Sequence, residues 1–321
     1  MKEARVMNKQ IKTIALTTAA ATGALFCINK LINTLSISDN ILGKTRGYYY
    51  DWRFGKIYYT KQGSGKPLLL IHDLNETSSA YEWKHMIQLL AKDYTVYALD
   101  LLGCGRSDKP NLTYTNYLYV QMVTDFIKNI ICRKTDIIVT GTSGSFIIMA
   151  CHNDPELIQK IIIINPDSLA SLNQIPTKKS KAWKFYLELP ILGMFTYNML
   201  HSKDKIGGYF RNKYYYNISS INEKDIFAYH EACHLGKSTS RHLFASMEGK
   251  YTNINILHAL KELDNSIYLI GGEEEADIDQ ILKEYTYYNP AIETTQIRNT
   301  RHLPHLENPV ALYNQAKIFL E

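Results

Sequence analysis

The chain has 321 residues, a formal net charge of +5 and five cysteines. Seven basic and two acidic residues lie in residues 1–46, so the remainder carries equal numbers of both and does not predict a nucleic-acid partner. The cysteines are odd in number and form no C-x-x-C pair, which indicates neither a disulfide framework nor a cysteine zinc site. The length allows one large domain or two small ones, and we predict one domain with an insertion.

Residues 1–46 are a basic N-terminal segment around a stretch without charge. Residues 13–29 are uncharged and near the lower limit of length for crossing a bilayer, and Leu31 and Ile32 extend the candidate helix to residue 32. We predict an uncleaved membrane anchor, because no small-x-small cleavage site follows a long apolar core. A cleaved signal peptide, a helix on the membrane surface and an alanine-rich helix packed on the domain are the alternatives. A spanning helix would place residues 1–12 in the cytoplasm.

Residues 47–321 contain strand and helix patterns that alternate. Residues 48–62 predict an antiparallel hairpin, and buried strands are predicted at KPLLLIHDL, YTVYALD, DIIVTG and KIIIIN. Helical patterns separate these strands, and the same alternation resumes later with SIYLIGG and AIETTQIR. The sequence therefore predicts an α/β fold, with a mostly parallel central sheet and helices on both faces.

The alternation stops between residue 167 and about residue 264. Helix formers and aromatic residues dominate this segment, and it has no strand pattern of comparable quality. An insertion of this kind predicts a helical lid over the carboxyl ends of the strands, where open α/β sheets bind ligands.

The turn VTGTSGSF follows a predicted strand and opens a predicted helix. Small residues at Gly141 and Ser145 would allow a sharp reversal that presents Ser143 above the sheet as a nucleophile. A serine that only caps a helix is the alternative. His302 lies in the loop NTRHLPHLENP after the last predicted strand, where it is suited to act as a general base. Backbone N–H groups after LLLIHDL and at Gly144 would form an oxyanion hole.

Four motifs in this order resemble a lid-bearing serine hydrolase of the α/β-hydrolase superfamily, similar to esterases and lipases. They are LLIHDLNETSSAYEW, LDLLGCGRSDKP, GTSGS and RHLPHLENP, and the resemblance runs from about residue 48 to residue 320. It implies Ser143 as nucleophile, His302 as base, and oxyanion donors at Leu74 and Gly144. The acid is implied after SIYLIGG, at Glu275, with Asp277 and Asp167 as alternatives. Dehalogenase and epoxide-hydrolase relatives have an aspartate at the nucleophile position, so Ser143 there points to acyl transfer to water.

The stretch FAYHEACHLG contains the pattern His-Glu-x-x-His, which is typical of zinc peptidases. On a helix, His230 and His234 would lie one turn apart, and Glu248 or Glu262 could supply a third ligand. The pattern lies within the predicted lid, however, and it lacks the glycine and histidine that continue one large class of zinc sites. We therefore predict no metal site, and expect both histidines to line the pocket or to form hydrogen bonds beneath the lid.

These patterns together predict a membrane-associated serine hydrolase that needs no cofactor. Its expected substrate is an apolar small molecule with a carboxylic ester or related acyl bond. The side chains expected to contact this substrate are His72, Trp183, Tyr186, His230 and His234. The alternatives are a binding protein that has kept the fold without catalysis, and a zinc peptidase based on His230 and His234. Hydrolysis of a carbon–carbon bond or peroxidase-like chemistry could use the same triad.

Overall fold

An eight-stranded sheet forms the centre of the computed structural model, which describes residues 2–321 and their side-chain environments from residue 10 onward. Its strands are β1 (Tyr48–Trp52), β2 (Gly55–Gln62), β3 (Lys66–Ile71), β4 (Tyr94–Leu99), β5 (Thr135–Thr140), β6 (Ile158–Ile164), β7 (Ser266–Gly272) and β8 (Glu293–Ile297). They lie in the order β1-β2-β4-β3-β5-β6-β7-β8. β1 pairs with β2, and β2 with β4, in antiparallel fashion, and all other neighbours are parallel. The predicted mostly parallel sheet is confirmed.

The helices precede, flank or cover this sheet. They are α1 (Lys2–Leu35), α2 (Lys84–Leu90), α3 (Asn116–Phe126), α4 (Ser143–Asn153), α5 (Leu169–Leu172), α6 (Lys178–Glu188), α7 (Leu192–Leu200), α8 (Lys203–Tyr209), α9 (Glu223–His234), α10 (Arg241–Glu248), α11 (Leu257–Glu262), α12 (Ile278–Tyr288), α13 (Pro304–Glu307) and α14 (Pro309–Leu320).

Two apolar cores cover the two faces of the sheet. Successive side chains of a strand point to opposite faces, so Leu69 and Ile71 of β3 enter one core, and Leu68 and Leu70 enter the other. The first core is closed by α3, α4, α11 and α12, and the second by α2 and α14. All four β3 side chains are fully buried, which explains why the central strands read as continuous apolar runs.

Residues 165–265, all described by the structure, contain helices and no strand, and they are called the helical insertion below. The insertion includes the predicted lid, residues 167–264. Its apolar cluster is built around Tyr197, Phe210 and Tyr229, and it also takes in Leu303 and Leu306 from beyond β8. The Tyr229 hydroxyl donates to Glu82 Oε2 at 2.8 Å, so a buried hydrogen bond joins the insertion to the sheet domain.

Helix α1 precedes the sheet domain and contacts the insertion near its C-terminal end. Asn29 Nδ2 donates to the carbonyl oxygen of Ile191 at 3.1 Å, and Asn198 Nδ2 donates to Asn29 Oδ1 at 3.0 Å. Most side chains from Gln10 to Leu35 are exposed, with Asn29 and Asn33 buried, and by length and composition alone this part is long and apolar enough to cross a membrane. A membrane anchor and a signal sequence both fit this observation.

Candidate active site

His302 and Glu275 form an imidazole–carboxylate pair at the carboxyl edge of the sheet. His302 lies on the loop after β8 and Glu275 on the loop after β7, and His302 Nδ1 is 3.2 Å from Glu275 Oε1. Burial alone would lower the pKa of His302. The hydrogen bond and charge of Glu275, together with the nearby charges of Asp73 and Asp167, outweigh burial and raise that pKa. The pair has the contact that a general base and its orienting acid require.

The turn between β5 and α4 reverses the chain at Gly141. Gly141 has a φ of +55°, in the left-handed region that side chains rarely adopt. A Cβ atom on this residue would be 2.3 Å from Asp73 Oδ1, so both the backbone and the space require glycine. The position that a strained nucleophile turn uses to present its side chain is therefore occupied by a residue without one.

Ser143 lies two residues beyond this position, at the first residue of α4. It is fully buried, and its hydroxyl donates to the carbonyl oxygen of His72 at 2.7 Å. Ser143 is not among the residues that line the neighbouring pocket, and in the described chain no hydrogen bond joins it to His302. The nucleophile role of Ser143 stays a prediction, and this placement weighs against it.

The predicted oxyanion donors have different surroundings. Leu74 lines the pocket, as expected for a donor residue. The Gly144 N–H instead donates to the carbonyl oxygen of Gly141 at 3.1 Å and so closes the turn. Thr142 lines the pocket in its place, and its N–H donates to Asp73 Oδ1 at 2.8 Å.

Asp73 lines the pocket and was not predicted as a site residue from the sequence. Burial and the charge of Asp167 raise the pKa of Asp73 to about 7, although His302 acts in the opposite direction. The Thr142 hydroxyl donates to Asp167 Oδ2 at 2.6 Å, and burial also raises the pKa of Asp167. A carboxylate directly after a buried strand, in LLIHDL, was the available signal. Asp167, one of the two alternative acids, thus accepts a hydrogen bond from Thr142. The other alternative, Asp277, is exposed at the start of α12.

A pocket of about 620 Å³ lies between these residues and the helical insertion. That volume is within the range typical of small-molecule sites. The insertion contributes mainly apolar and aromatic side chains: Trp183, Leu200, Ile206, Tyr209, Tyr214, Phe244 and Met247. The Tyr214 ring stacks on His302, with their centroids 5.2 Å apart. The pocket therefore fits a small, largely apolar molecule.

Of the side chains expected to contact substrate, Trp183 lines this pocket. Tyr186 stacks behind it, with the ring centroids 5.3 Å apart, and its hydroxyl lies 2.9 Å from Thr196 Oγ1. His72 is fully buried under the turn, where its Nε2 accepts from the Leu101 N–H at 3.0 Å. His72 therefore holds together the turns that follow β3 and β4, and its side chain does not face the pocket.

The His-Glu-x-x-His stretch occupies α9, away from the pocket lining. Glu231 accepts hydrogen bonds from the Ile41 and Leu42 N–H groups, at 2.6 and 3.2 Å, and so holds the linker that follows α1. Burial lowers the pKa of His230 to about 4 and that of His234 to about 3. Among the described residues, no group of three or more His, Cys, Asp or Glu side chains is arranged to hold a metal ion. This stretch has a structural role in joining the N-terminal segment to the insertion.

A second imidazole–carboxylate pair faces the same pocket. His201, directly after α7, places its Nε2 2.5 Å from Oε1 of Glu76, which lies on the loop after β3. Both residues line the pocket. Neither residue was predicted from the sequence, because the pair forms only when the insertion packs over the strand ends.

Comparison with known proteins identifies the class to which this architecture belongs. Residues 68–316 match the model of the Alpha/beta hydrolase family, so the chain belongs to that family, as predicted. The solved structure of a serine hydrolase involved in carbazole degradation, the CarC enzyme, superposes with a TM-score of 0.69 at 16% identity. The superposition covers 86% of this chain and 98% of the CarC chain.

Several curated relatives that match part of the chain are named as hydrolases. A soluble epoxide hydrolase of a Corynebacterium species is 29% identical over 34% of this chain and 38% of its own length. A haloalkane dehalogenase of Agrobacterium fabrum is 25% identical over 39% of this chain and 42% of its own. The chain thus spans about two fifths of the length of these relatives. Their names support a hydrolase of the α/β fold.

Proposed function

We propose that the chain is a hydrolase of a small, largely apolar molecule, in which Asp73 is the attacking group and the His302–Glu275 pair activates water. One observation carries the proposal. The Asp73 carboxylate lies at the point where the turn after β5 would otherwise present a nucleophile, and it is held there by the Thr142 N–H at 2.8 Å. The reaction class is hydrolysis through a covalent carboxylate ester.

The arrangement supports two steps. The Thr142 N–H holds Asp73 Oδ1, so Oδ2 attacks a saturated carbon of the substrate, a carbon–oxygen bond forms, and the bond to the leaving group breaks. His302 then takes a proton from water, and the hydroxide attacks the Asp73 carboxyl carbon. The alcohol leaves and the Asp73 carboxylate is restored, with Glu275 stabilising the imidazolium. The net reaction consumes one water molecule: an epoxide gives a diol, and an alkyl halide gives an alcohol, a halide ion and a proton.

The substrate class follows from the same hydrogen bond. Cleavage of a carboxylic ester creates an oxyanion that needs preorganised N–H donors. Here the Thr142 N–H already binds a carboxylate, and an oxyanion beside Asp73 would meet negative charge. An epoxide or a carbon–halogen bond creates no such oxyanion on the carbon that is attacked, and the oxyanion of the second step forms on Asp73 itself, where the Thr142 N–H already donates to Oδ1. Relatives named as a soluble epoxide hydrolase and a haloalkane dehalogenase support this choice.

Hydrolysis of an ester through Ser143 is the competing proposal from the sequence. It requires the Ser143 hydroxyl to leave its hydrogen bond to the His72 carbonyl and to become accessible to the pocket. The two proposals predict covalent intermediates on different residues. Mass spectrometry therefore distinguishes them directly.

The test uses the full chain in detergent with the substitution His302→Gln, which removes the base and lets the covalent intermediate accumulate. The probes are styrene oxide, 1-bromohexane and p-nitrophenyl butyrate. We expect the epoxide and the bromide to raise the protein mass by one substrate-derived group each, mapped to the peptide that contains Asp73. Adding Asp73→Asn should abolish this adduct, and adding Ser143→Ala should not. In the wild-type chain, where His302 is intact, a butyryl group found on Ser143 after rapid quenching with p-nitrophenyl butyrate would instead establish the serine route.

A non-catalytic binding protein is the second candidate, and Gly141 is the observation that favours it. A hydrolase turn without a side chain at its strained position is also what loss of catalysis would leave. Binding of an apolar ligand without conversion or adduct for any of the three probes would support this candidate.

We also propose that α1 anchors the chain in a membrane. Its apolar side chains are exposed, for example Leu16 at 73% and Phe26 at 57%, which a helix in water would disfavour. Alkaline carbonate extraction of cell membranes tests the proposal. The full chain should stay in the membrane pellet, and a chain beginning at residue 36 should be released.

A further inference from the structure

The His201–Glu76 pair is buried in the wall of the pocket. His201 is 5% exposed and Glu76 is 6% exposed. The Tyr197 ring stacks on His201 with centroids 4.1 Å apart, and the Phe244 ring meets it edge-on at 4.8 Å. Aromatic packing on the imidazole holds its orientation and keeps water from most of its surface.

The hydrogen-bond partners of this imidazole fix the number of protons that the pair holds. His201 Nδ1 lies 2.8 Å from the Tyr197 carbonyl oxygen. A carbonyl oxygen only accepts, so Nδ1 carries a hydrogen. The contact of 2.5 Å between Nε2 and Glu76 Oε1 then needs a second proton between the two atoms, since a bare nitrogen and a carboxylate oxygen would repel each other. The pair therefore stores a transferable proton at the pocket wall.

We propose that the His201–Glu76 pair is the general acid of the site, and that it protonates the leaving oxygen when Asp73 opens an epoxide. This inference rests on the proposed function and adds the proton donor that the reaction requires. His302 cannot fill this role, because it must accept a proton from water in the second step. The pair and His302 line one pocket, so a substrate held between them has an acid on one side and a base on the other.

The proton balance closes over one reaction cycle. In the first step Asp73 Oδ2 bonds to a ring carbon, the carbon–oxygen bond of the epoxide breaks, and the oxygen takes the proton of the pair. In the second step His302 takes a proton from water, and hydroxide cleaves the ester to give the diol and the Asp73 carboxylate. The proton on His302 returns to the pair through solvent.

Two probes separate the acid role from a structural role. An epoxide leaves as an alkoxide and benefits from a proton donor, whereas bromide leaves as a stable anion and needs none. The test measures the rate of Asp73 alkylation in the His302→Gln chain by styrene oxide and by 1-bromohexane, with and without His201→Gln or Glu76→Gln. His258→Gln, at an exposed histidine outside the pocket, is the matched control.

We expect His201→Gln to slow alkylation by the epoxide about 100-fold or more, in the range of general acid catalysis, and to change alkylation by the bromide less than about threefold. Glu76→Gln should act in the same direction. An equal loss with both probes would overturn the acid role and assign the pair to structure. No loss with either, or alkylation by the bromide alone in the parent chain, would also overturn it. Absence of any Asp73 adduct from both probes is a different result, because it refutes the proposed function itself.

Discussion

The carboxylate of Asp73 occupies the space into which a side chain at residue 141 would project. A Cβ atom on Gly141 would lie 2.3 Å from Asp73 Oδ1 and 2.5 Å from its carboxyl carbon. The two positions therefore exclude each other, and the carboxylate comes from the turn after β3 instead of the turn after β5. A carboxylate that approaches the pocket from this turn still reaches the Thr142 N–H and the vicinity of His302.

The first prediction concerns the mutual exclusion of these two side chains. Gly141→Ala should lower the free energy of unfolding by about 2 kcal/mol or more, since it adds a side chain at positive φ and forces Asp73 to move. Gly208→Ala is the matched control, because a Cβ atom there meets nothing within 4 Å, and it should have little effect. Urea unfolding followed by circular dichroism measures both.

A double substitution tests whether the clash is with Asp73. In Asp73→Gly/Gly141→Ala the carboxylate is absent, so the combined loss should be smaller than the sum of the two single losses. Additive losses would mean that backbone strain alone limits residue 141.

The second prediction concerns the source of the oxygen in the product. In a single turnover of styrene oxide in ¹⁸O-labelled water, the first diol should contain no label, because its new oxygen comes from Asp73. The label should appear in Asp73 and then in later products. Ser143→Ala should leave this pattern unchanged, and mass spectrometry of product and peptide measures it. Label in the first diol would mean direct attack by water.

The sheet was predictable from sequence and the place of Asp73 in the site was not, for a physical reason. Runs such as Leu68 to Ile71 are apolar at every position, so both faces of the strand are apolar. A central parallel strand requires this pattern, because it is buried on both faces. Glu275 was implied by the resemblance to α/β-hydrolases, with Asp277 and Asp167 as alternatives, and the structure places it 3.2 Å from His302. The pattern Gly-x-Ser-x-Gly does not determine which residue takes the positive φ, and here Gly141 takes it. Glu76 and His201 are 125 positions apart, so only tertiary packing reveals their contact.

The third prediction concerns Glu82, which lies under the pocket and is fully buried. Burial would raise the pKa of its carboxyl, but His305, His72 and the Tyr229 hydroxyl outweigh burial and lower it. Glu82→Ala should cost about 3 kcal/mol of unfolding free energy, because it leaves the buried Tyr229 hydroxyl without its acceptor and removes the carboxylate that lies 3.5 Å from His305 Nε2. Glu156→Gln, which alters an exposed ion pair with Lys134, should cost less than about 1 kcal/mol. Equal effects in denaturant titrations would refute a structural role for Glu82.

The fourth prediction concerns the effect of pH on stability and on reaction rate. Burial and Asp167 raise the pKa of Asp73 from 3.8 to about 7 in the folded chain. The folded state therefore binds this proton more tightly than the unfolded state, and folding loses stability as pH rises from about 4 to about 7. Asp73→Asn removes the ionisable group, so its melting temperature should exceed that of the wild type at pH 8, and the difference should shrink at pH 5.

The same ionisation should control alkylation of Asp73 in the His302→Gln chain. Only the carboxylate attacks carbon, so the rate with 1-bromohexane should rise with pH and level off above about pH 7. At neutral pH the wild type would then have a less stable fold, because its nucleophile is ionised and poorly solvated. A rate that is independent of pH between 5 and 8, together with an unchanged melting temperature in Asp73→Asn, would show that Asp73 is an ordinary surface-like carboxylate and would remove the basis for its catalytic role.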